Sequence, residues 1–282
     1  MRLMMVRSAE GPALGLVEGE SVTLLPGRTL RAVVAGGAAE LAQVATAAAA
    51  APSSARIPLA QAVAAQPFEG QGKFVCVGLN FTDHAKEGGN PIPDYPALFL
   101  RVGSSLIAHG EPMICPNASH TLDYEAELTI VIGKGGRHIP QAEALDHVFG
   151  YTMFNDGSVR AYQRKSTQWT AGKNFDATGP VGPVVVTADE LPPGATGLRI
   201  RSVLNGQVMQ DGTTDDFIFS VAQVVAIVSE IMTLEPGDMI ATGTPAGVGY
   251  PRTPPVFLKP GDEIVVEIEG VGRLVNPVVA EA

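Results

Sequence analysis

The ten residues "TLDYEAELTI" at 121–130 constrain this chain more than any other segment. In an extended chain successive side chains point to opposite faces. Asp123, Glu125 and Glu127 then share one face, and Tyr124, Ala126, Leu128 and Ile130 share the other. The apolar side belongs against a core. The acidic side has to be solvated, protonated or neutralised, because neighbouring carboxylates repel. A divalent ion neutralises two or three of them at once, and the E-x-E spacing brings two oxygen donors within reach of one ion. Taken by itself, the segment is described more simply as a solvated acidic edge strand.

A carboxylate further along changes that balance. "GYTMFNDGS" (150–158) reads as an apolar strand that ends in Asn155-Asp156-Gly157, which puts Asp156 at a strand end. Three hard oxygen donors with no Cys or His nearby suit Mg²⁺ or Mn²⁺ and leave positions for water and substrate. The simpler role for Asp156 is an Asx-turn before glycine.

Turn-forming residues are abundant, with 32 Gly and 22 Pro in 282 residues, so many short strands are expected. Strands read at 73–80, 97–101, 124–132, 148–154, 183–187, 198–204, 238–242 and 263–268, and residues 1–24 read as a small hairpin. Helices read at 38–50, an alanine run that stops at Pro52, and at 220–234, which ends before Pro236-Gly237. Strands outnumber helices, which favours a mixed β-rich α+β fold over a doubly wound sheet. A shift in composition over 52–72 marks a boundary between a small N-terminal α+β domain, 1–71, and a main domain, 72–282. A formal charge of -10 argues against nucleic acid and anionic membrane as partners. No segment reads as a membrane span, and Cys76 and Cys115 read as free structural thiols of a cytoplasmic protein.

Other clusters carry chemistry. "RAYQRKSTQWTAGKNFD" (160–176) is the most basic and amide-rich stretch, with Arg160, Gln163, Arg164, Lys165 and Lys173. Such donors can hold a substrate carboxylate or oxyanion, although a solvated helix face describes Arg164 and Lys165 better than Lys173. In "NFTDHAKE", His84 and Glu87 are three apart and adjacent on a helix, where the carboxylate can orient an imidazole acting as a base. Thr82 or Asp83 is the expected cap of that helix, Gly88-Gly89 its end, and "NPIPDYP" an exposed lid-like loop. "ATGTPAGVG" (241–249) is suited to presenting backbone N–H groups and a hydroxyl to an anion.

"GLNFTDHAKE", "DYEAELTIVIGKGGR", "GYTMFND", "QWTAGKNFD", "LNGQVMQDGTT", "LEPGDMIATGTPAGVG" and "FLKPGDEI" together resemble the fumarylacetoacetate hydrolase family over residues 73 to 277. The first seventy residues look like that family's variable N-terminal domain. The resemblance implies a β-roll catalytic domain, a homodimer, and Mg²⁺ or Mn²⁺ held by Glu125, Glu127 and Asp156, with Asp123 outside the ligand set. It implies catalytic roles for His84, Glu87 and Lys173, and substrate contacts from Arg160, Gln163 and Thr244. Two departures stand out: "NDGSVRA" where relatives commonly read "NDVSARD", and Arg101 where a lysine is common.

The activity implied is metal-dependent hydrolysis of a carbon–carbon bond in an acylpyruvate or β-diketo acid, fumarylacetoacetate- or fumarylpyruvate-like, in aromatic or sugar-acid catabolism. His84 would activate water, Glu87 would orient His84, and Lys173 would stabilise the oxyanion. The alternatives are an oxaloacetate decarboxylase and a 2-hydroxyhepta-2,4-diene-1,7-dioate-type isomerase or decarboxylase. In each case the partner is a small anionic 2-oxo or diketo acid. A reading of another class is a non-enzymatic β-protein that holds a structural Ca²⁺ at the same carboxylates.

Overall fold

The computed structural model describes residues 1–9, 11–68 and 72–282, and the apolar runs of the sequence assemble there into two main sheets. Among the described residues the larger has ten strands. Their order is Arg56–Pro58, Ser21–Leu25, Gly11–Glu18, Arg2–Ser8, Val184–Thr187, Val148–Asn155, Ala126–Ile132, Met239–Ala241, Phe74–Gly78 and Ala97–Leu100. Its neighbours are antiparallel except Met239–Ala241 beside Phe74–Gly78. The smaller sheet runs Gln207–Thr213, Arg199–Leu204, Glu263–Ile268, Gly272–Ala280 and Met113–Cys115. The class is the mixed β-rich α+β fold expected.

The Ala126–Ile132 strand is buried along its whole length because both of its faces are covered. Leu128, Ile130 and Ile132 enter a core shared with Ile200 and Val266 of the smaller sheet and with Val224, Val225 and Val228. Those valines lie on the Val221–Ile231 helix, which begins in a capping box: the Gln223 N–H donates to Ser220 Oγ, and the Ser220 N–H donates to Gln223 Oε1 at 2.9 Å. A cap of this kind contributes about 1 kcal/mol. Val131 points the other way, into a core with Leu3, Leu14, Val33 and Val34.

The N-terminal strands form a three-stranded meander rather than one hairpin. Arg2–Ser8 pairs with Val184–Thr187, so strands from within the first 71 residues extend the same sheet that carries the later ones. The boundary expected between 71 and 72 has Gln71 outside the described residues. The alanine-rich helix is longer than expected, Leu30–Ala50, because Thr29 caps it through the Ala32 N–H at 3.2 Å and the chain continues through a kink at Gly37 (φ 58°). Its length and mean hydropathy of 1.3 would suffice for a membrane span. Its Leu30, Val33, Val34 and Val44 are instead buried against the sheet.

The Thr82–Glu87 helix ends at Gly88 as expected, but neither Thr82 nor Asp83 caps it. The Asp83 carboxylate accepts the Ala246 N–H at 3.3 Å, and the Thr82 hydroxyl donates to the Asp216 carbonyl at 3.4 Å. Both side chains bond across to other segments, so no local pattern revealed their partners. Cys76 and Cys115 are free thiols, Cys76 fully buried.

Candidate active site

Strand register builds the acidic cluster. Ala126 pairs with Asn155 and Glu127 with Phe154, so the next residues outward, Glu125 and Asp156, also lie opposite each other, with the Asp156 N–H donating to the Glu125 carbonyl at 2.9 Å. Carboxylate oxygens of Glu125, Glu127 and Asp156 all lie within 4.8 Å of one another. None of the three is more than 5% exposed, which rules out the solvated acidic edge. Nor is Asp156 a mere turn residue: its carboxylate receives Arg101 Nη1 at 2.8 Å and Lys173 Nζ at 2.6 Å. Asp123 stands apart, accepting from Arg160 Nε at 2.8 Å and from the backbone N–H groups of Gly249 at 2.7 Å and Tyr250 at 3.0 Å.

Three basic groups brace these acids. Lys173 Nζ sits 2.6 Å from both Glu125 Oε2 and Asp156 Oδ2, and Arg160 Nη2 sits 2.6 Å from Glu125 Oε1. Burial would raise the Glu125 carboxyl, but Lys173 and Arg160 outweigh it and hold the group down at about 2. Glu127 goes the opposite way. Burial and the negative charges of Asp156 and Glu125 push it well above the carboxylate range, and the Gly243 N–H at 2.9 Å offsets this only in part. Burial opposes the Lys173 charge, yet Asp156 and Glu125 hold its ammonium above the usual value, so Lys173 is a cation and not a base at neutral pH.

Four acids (Asp123, Glu125, Glu127, Asp156) face three bases (Arg101, Arg160, Lys173), which leaves one buried negative charge when all are ionised. The surplus falls on Glu127, the acid without a basic side chain within ion-pair distance. Close, buried oxygen donors with a surplus of negative charge fit a hard divalent cation. Glu125, Glu127 and Asp156 would hold it.

The glycine-rich loop after the Met239–Ala241 strand does bind anions, but they are the protein's own carboxylates. Gly243 donates to Glu127, Ala246 to Asp83, Gly247 to Glu87 at 2.8 Å, and Gly249 and Tyr250 to Asp123. Gly243 has φ 93°, which favours glycine. Through Gly247 the loop also steadies the pair on the Thr82–Glu87 helix, where His84 Nδ1 lies 3.1 Å from Glu87 Oε2. Thr244 Oγ1 accepts from Gln210 Nε2 at 2.7 Å, which leaves its own proton to offer elsewhere.

A cleft of about 400 Å³ joins these groups, and all nine expected residues line it: His84, Glu87, Glu125, Glu127, Asp156, Arg160, Gln163, Lys173 and Thr244. Phe99 and Trp169 pack edge-on at 5.6 Å as one wall. A Cβ on Gly78 would lie 2.1 Å from the Trp169 ring, so that wall depends on glycine. Sequence reasoning gave no role to Arg101 behind Asp156 or to Trp169 and Tyr250 on the cleft, and it favoured a solvated helix face for Arg164, which lines the cleft. The one available signal was the four-residue step from Arg160 to Arg164, which puts both on one helical face.

A buried three-carboxylate cluster on paired strands, opened to a cleft beneath a His–Glu helix, defines a class, and the sequence agrees with it. The chain belongs to the fumarylacetoacetate hydrolase family: residues 73–279 match the family model described as Fumarylacetoacetate (FAA) hydrolase C-terminal. Among its relatives, human "Oxaloacetate tautomerase FAHD2A, mitochondrial" is 42% identical over 225 residues, covering 79% of this chain and 71% of that one. Two solved structures match over the full length of both chains. Fumarylacetoacetate hydrolase from Exiguobacterium antarcticum is 34% identical with a TM-score of 0.86. Maleylpyruvate hydrolase from Sphingobium sp. SYK-6, in complex with manganese(II) and pyruvate, is 30% identical with a TM-score of 0.82.

Proposed function

We propose that this protein is a divalent-cation-dependent enzyme that moves a proton at the carbon beside the carbonyl of a small 2-oxo acid, with keto–enol interconversion of oxaloacetate as its reaction. The observation that carries this reading is the 42% identity to a protein named as an oxaloacetate tautomerase. The site chemistry supports it. A Mg²⁺ or Mn²⁺ ion held by Glu125, Glu127 and Asp156 would supply Lewis acidity toward the substrate's oxo-acid end.

The chain's own groups then have distinct tasks. His84, with Nδ1 engaged by Glu87, presents Nε2 as the base that takes a proton from the carbon beside the carbonyl. The C–H pair moves into a carbon–carbon double bond, the carbonyl pair moves onto oxygen, and that oxygen takes a proton from solvent to give the enol while the His84 imidazolium returns its proton to solvent. Lys173, a buried ammonium, stabilises charge as it develops on the oxygen. Thr244 and Gln163 orient the carboxylate end, while Arg160 positions Gln163 at 2.8 Å and neutralises Glu125.

The hydrolytic reading expected from the sequence uses the same base to activate water, and the likeness to a maleylpyruvate hydrolase favours it as the second choice. One assay separates the readings: metal-loaded protein is offered enol-form oxaloacetate and, separately, acylpyruvates, with the enol absorbance and released pyruvate and CO₂ followed. Faster decay of the enol band without pyruvate is the expected result. Acylpyruvate cleavage without tautomerisation would transfer the assignment to a hydrolase, and CO₂ release from oxaloacetate to a decarboxylase. The reading also takes the protein as a cytoplasmic homodimer. Exposed Ile92, Tyr95, Leu100 and Val102 close in sequence to the cleft residues support self-association, which light scattering tests.

A further inference from the structure

The cleft's cations are nearly all committed. Lys173 is bonded to Glu125 and Asp156, and Arg160 to Asp123, Glu125 and Gln163. Arg164 is different. Among the described residues it is the cation lining the cleft with no carboxylate within ion-pair distance. Its partner is aromatic: the guanidinium carbon lies 4.2 Å above the Tyr250 ring, and Nη1 donates to the Tyr250 hydroxyl. Tyr250 lines the same cleft.

The placement follows from one turn of helix. Arg160–Gln163 is helical, and the Arg164 N–H donates to the Arg160 carbonyl at 3.2 Å, so Arg160, Gln163 and Arg164 lie on one face. Arg160 is buried at the inner end, bonded to the floor acids. Arg164 is exposed at the outer end, on the rim. Stacking on Tyr250 pre-orders a side chain that would otherwise lose several rotamers on binding, and the planar fork keeps N–H groups to offer a carboxylate.

We infer that Arg164, held on Tyr250, is a specificity-determining residue that takes a second carboxylate at the far end of the substrate, so the enzyme selects 2-oxo dicarboxylic acids over 2-oxo monocarboxylic acids. This rests on the oxo-acid reading of the site and names its substrate class. An acylpyruvate with an apolar acyl group would leave Arg164 unpaired, whereas a dicarboxylate carries a second acceptor for it.

The single tryptophan makes the test direct, because Trp169 lines the cleft and reports ligand through its fluorescence. Mg²⁺-loaded wild type, Arg164→Ala and Arg164→Lys are titrated with oxaloacetate and with pyruvate, which lacks only the distal carboxylate. Wild type is expected to prefer oxaloacetate. Arg164→Ala should weaken oxaloacetate about tenfold, the equivalent of one charge-assisted contact, and change pyruvate affinity less than about twofold. Arg164→Lys should recover part of the loss, as a point charge without the fork. Equal weakening of both ligands, no change in either, or no wild-type preference overturns the inference. Failure of the tautomerase reading looks different: it is absent turnover of enol oxaloacetate by wild type, whatever the binding preference.

Discussion

The floor and the rim of the cleft solve the same electrostatic problem in different ways. On the floor, four acids and three bases are buried, and all but Glu127 are cross-braced by ion pairs of 2.6–2.8 Å, so each group's charge depends on its neighbours. On the rim, His84, Glu87 and Arg164 are half-buried or exposed and are steadied by one backbone N–H or one aromatic ring. Buried ions that lose a partner keep an uncompensated charge in a poorly polarisable medium, while rim ions regain water. Changes to the floor should therefore damage folding and cation binding together. Changes to the rim should alter turnover or selectivity and leave the fold alone.

The largest effect is expected from Asp156→Ala, which strands Arg101, leaves Lys173 with Glu125 alone and removes a candidate cation ligand. It should lower stability by about 3–5 kcal/mol in denaturant titration and abolish Mn²⁺ binding in calorimetry. Normal stability with retained Mn²⁺ affinity would dissolve the distinction between floor and rim. His84→Ala is the rim counterpart. Turnover should fall by about 10²–10⁴-fold while the Tm and Mn²⁺ affinity stay at wild-type values. A matching loss of Mn²⁺ affinity would move His84 to the floor.

Chelation sharpens the comparison without a mutation. If the cation relieves repulsion at Glu127, stripping it should lower stability by about 2.7 kcal/mol relative to protein with the ion at a hundred times its dissociation constant. Calorimetric scans with and without a chelator measure this, and an unchanged Tm would show that the three bases already balance the floor.

The smallest effect belongs to Asp83, where the Thr82–Glu87 helix meets Asp216. Burial, then the hydrogen bond with Asp216, raises the Asp83 pKa in the folded protein. The folded state thus holds this proton more tightly than the unfolded chain. Its stabilising contribution is full below the unfolded carboxylate pKa and is lost as pH rises through the folded value. Asp83→Asn should remove that loss, giving a slightly higher Tm at neutral pH and a flatter Tm profile above the ordinary carboxylate range. A lower Tm at neutral pH would mean that the Ala246 N–H needs a charged acceptor.

What could be read from the sequence was what lies close together along the chain. Alternation over 121–130 determined that Glu125 and Glu127 point one way, helical spacing joined His84 to Glu87, and the apolar runs placed most central strands within a residue or two. Strands Gln207–Thr213 and Gly272–Ala280 escaped, because polar, glycine- or proline-containing segments reveal their extended form only through pairing. The tertiary structure alone decided how the charges are shared. Arg101 reaches Asp156 across 55 residues, the loop at 243–250 turns its amides onto four carboxylates from three other segments, and Arg164 lies on the cleft rather than on a plain solvated face. Backbone direction is a local steric property that a short stretch encodes by itself. A buried charge, by contrast, is tolerated only through partners that folding brings from elsewhere.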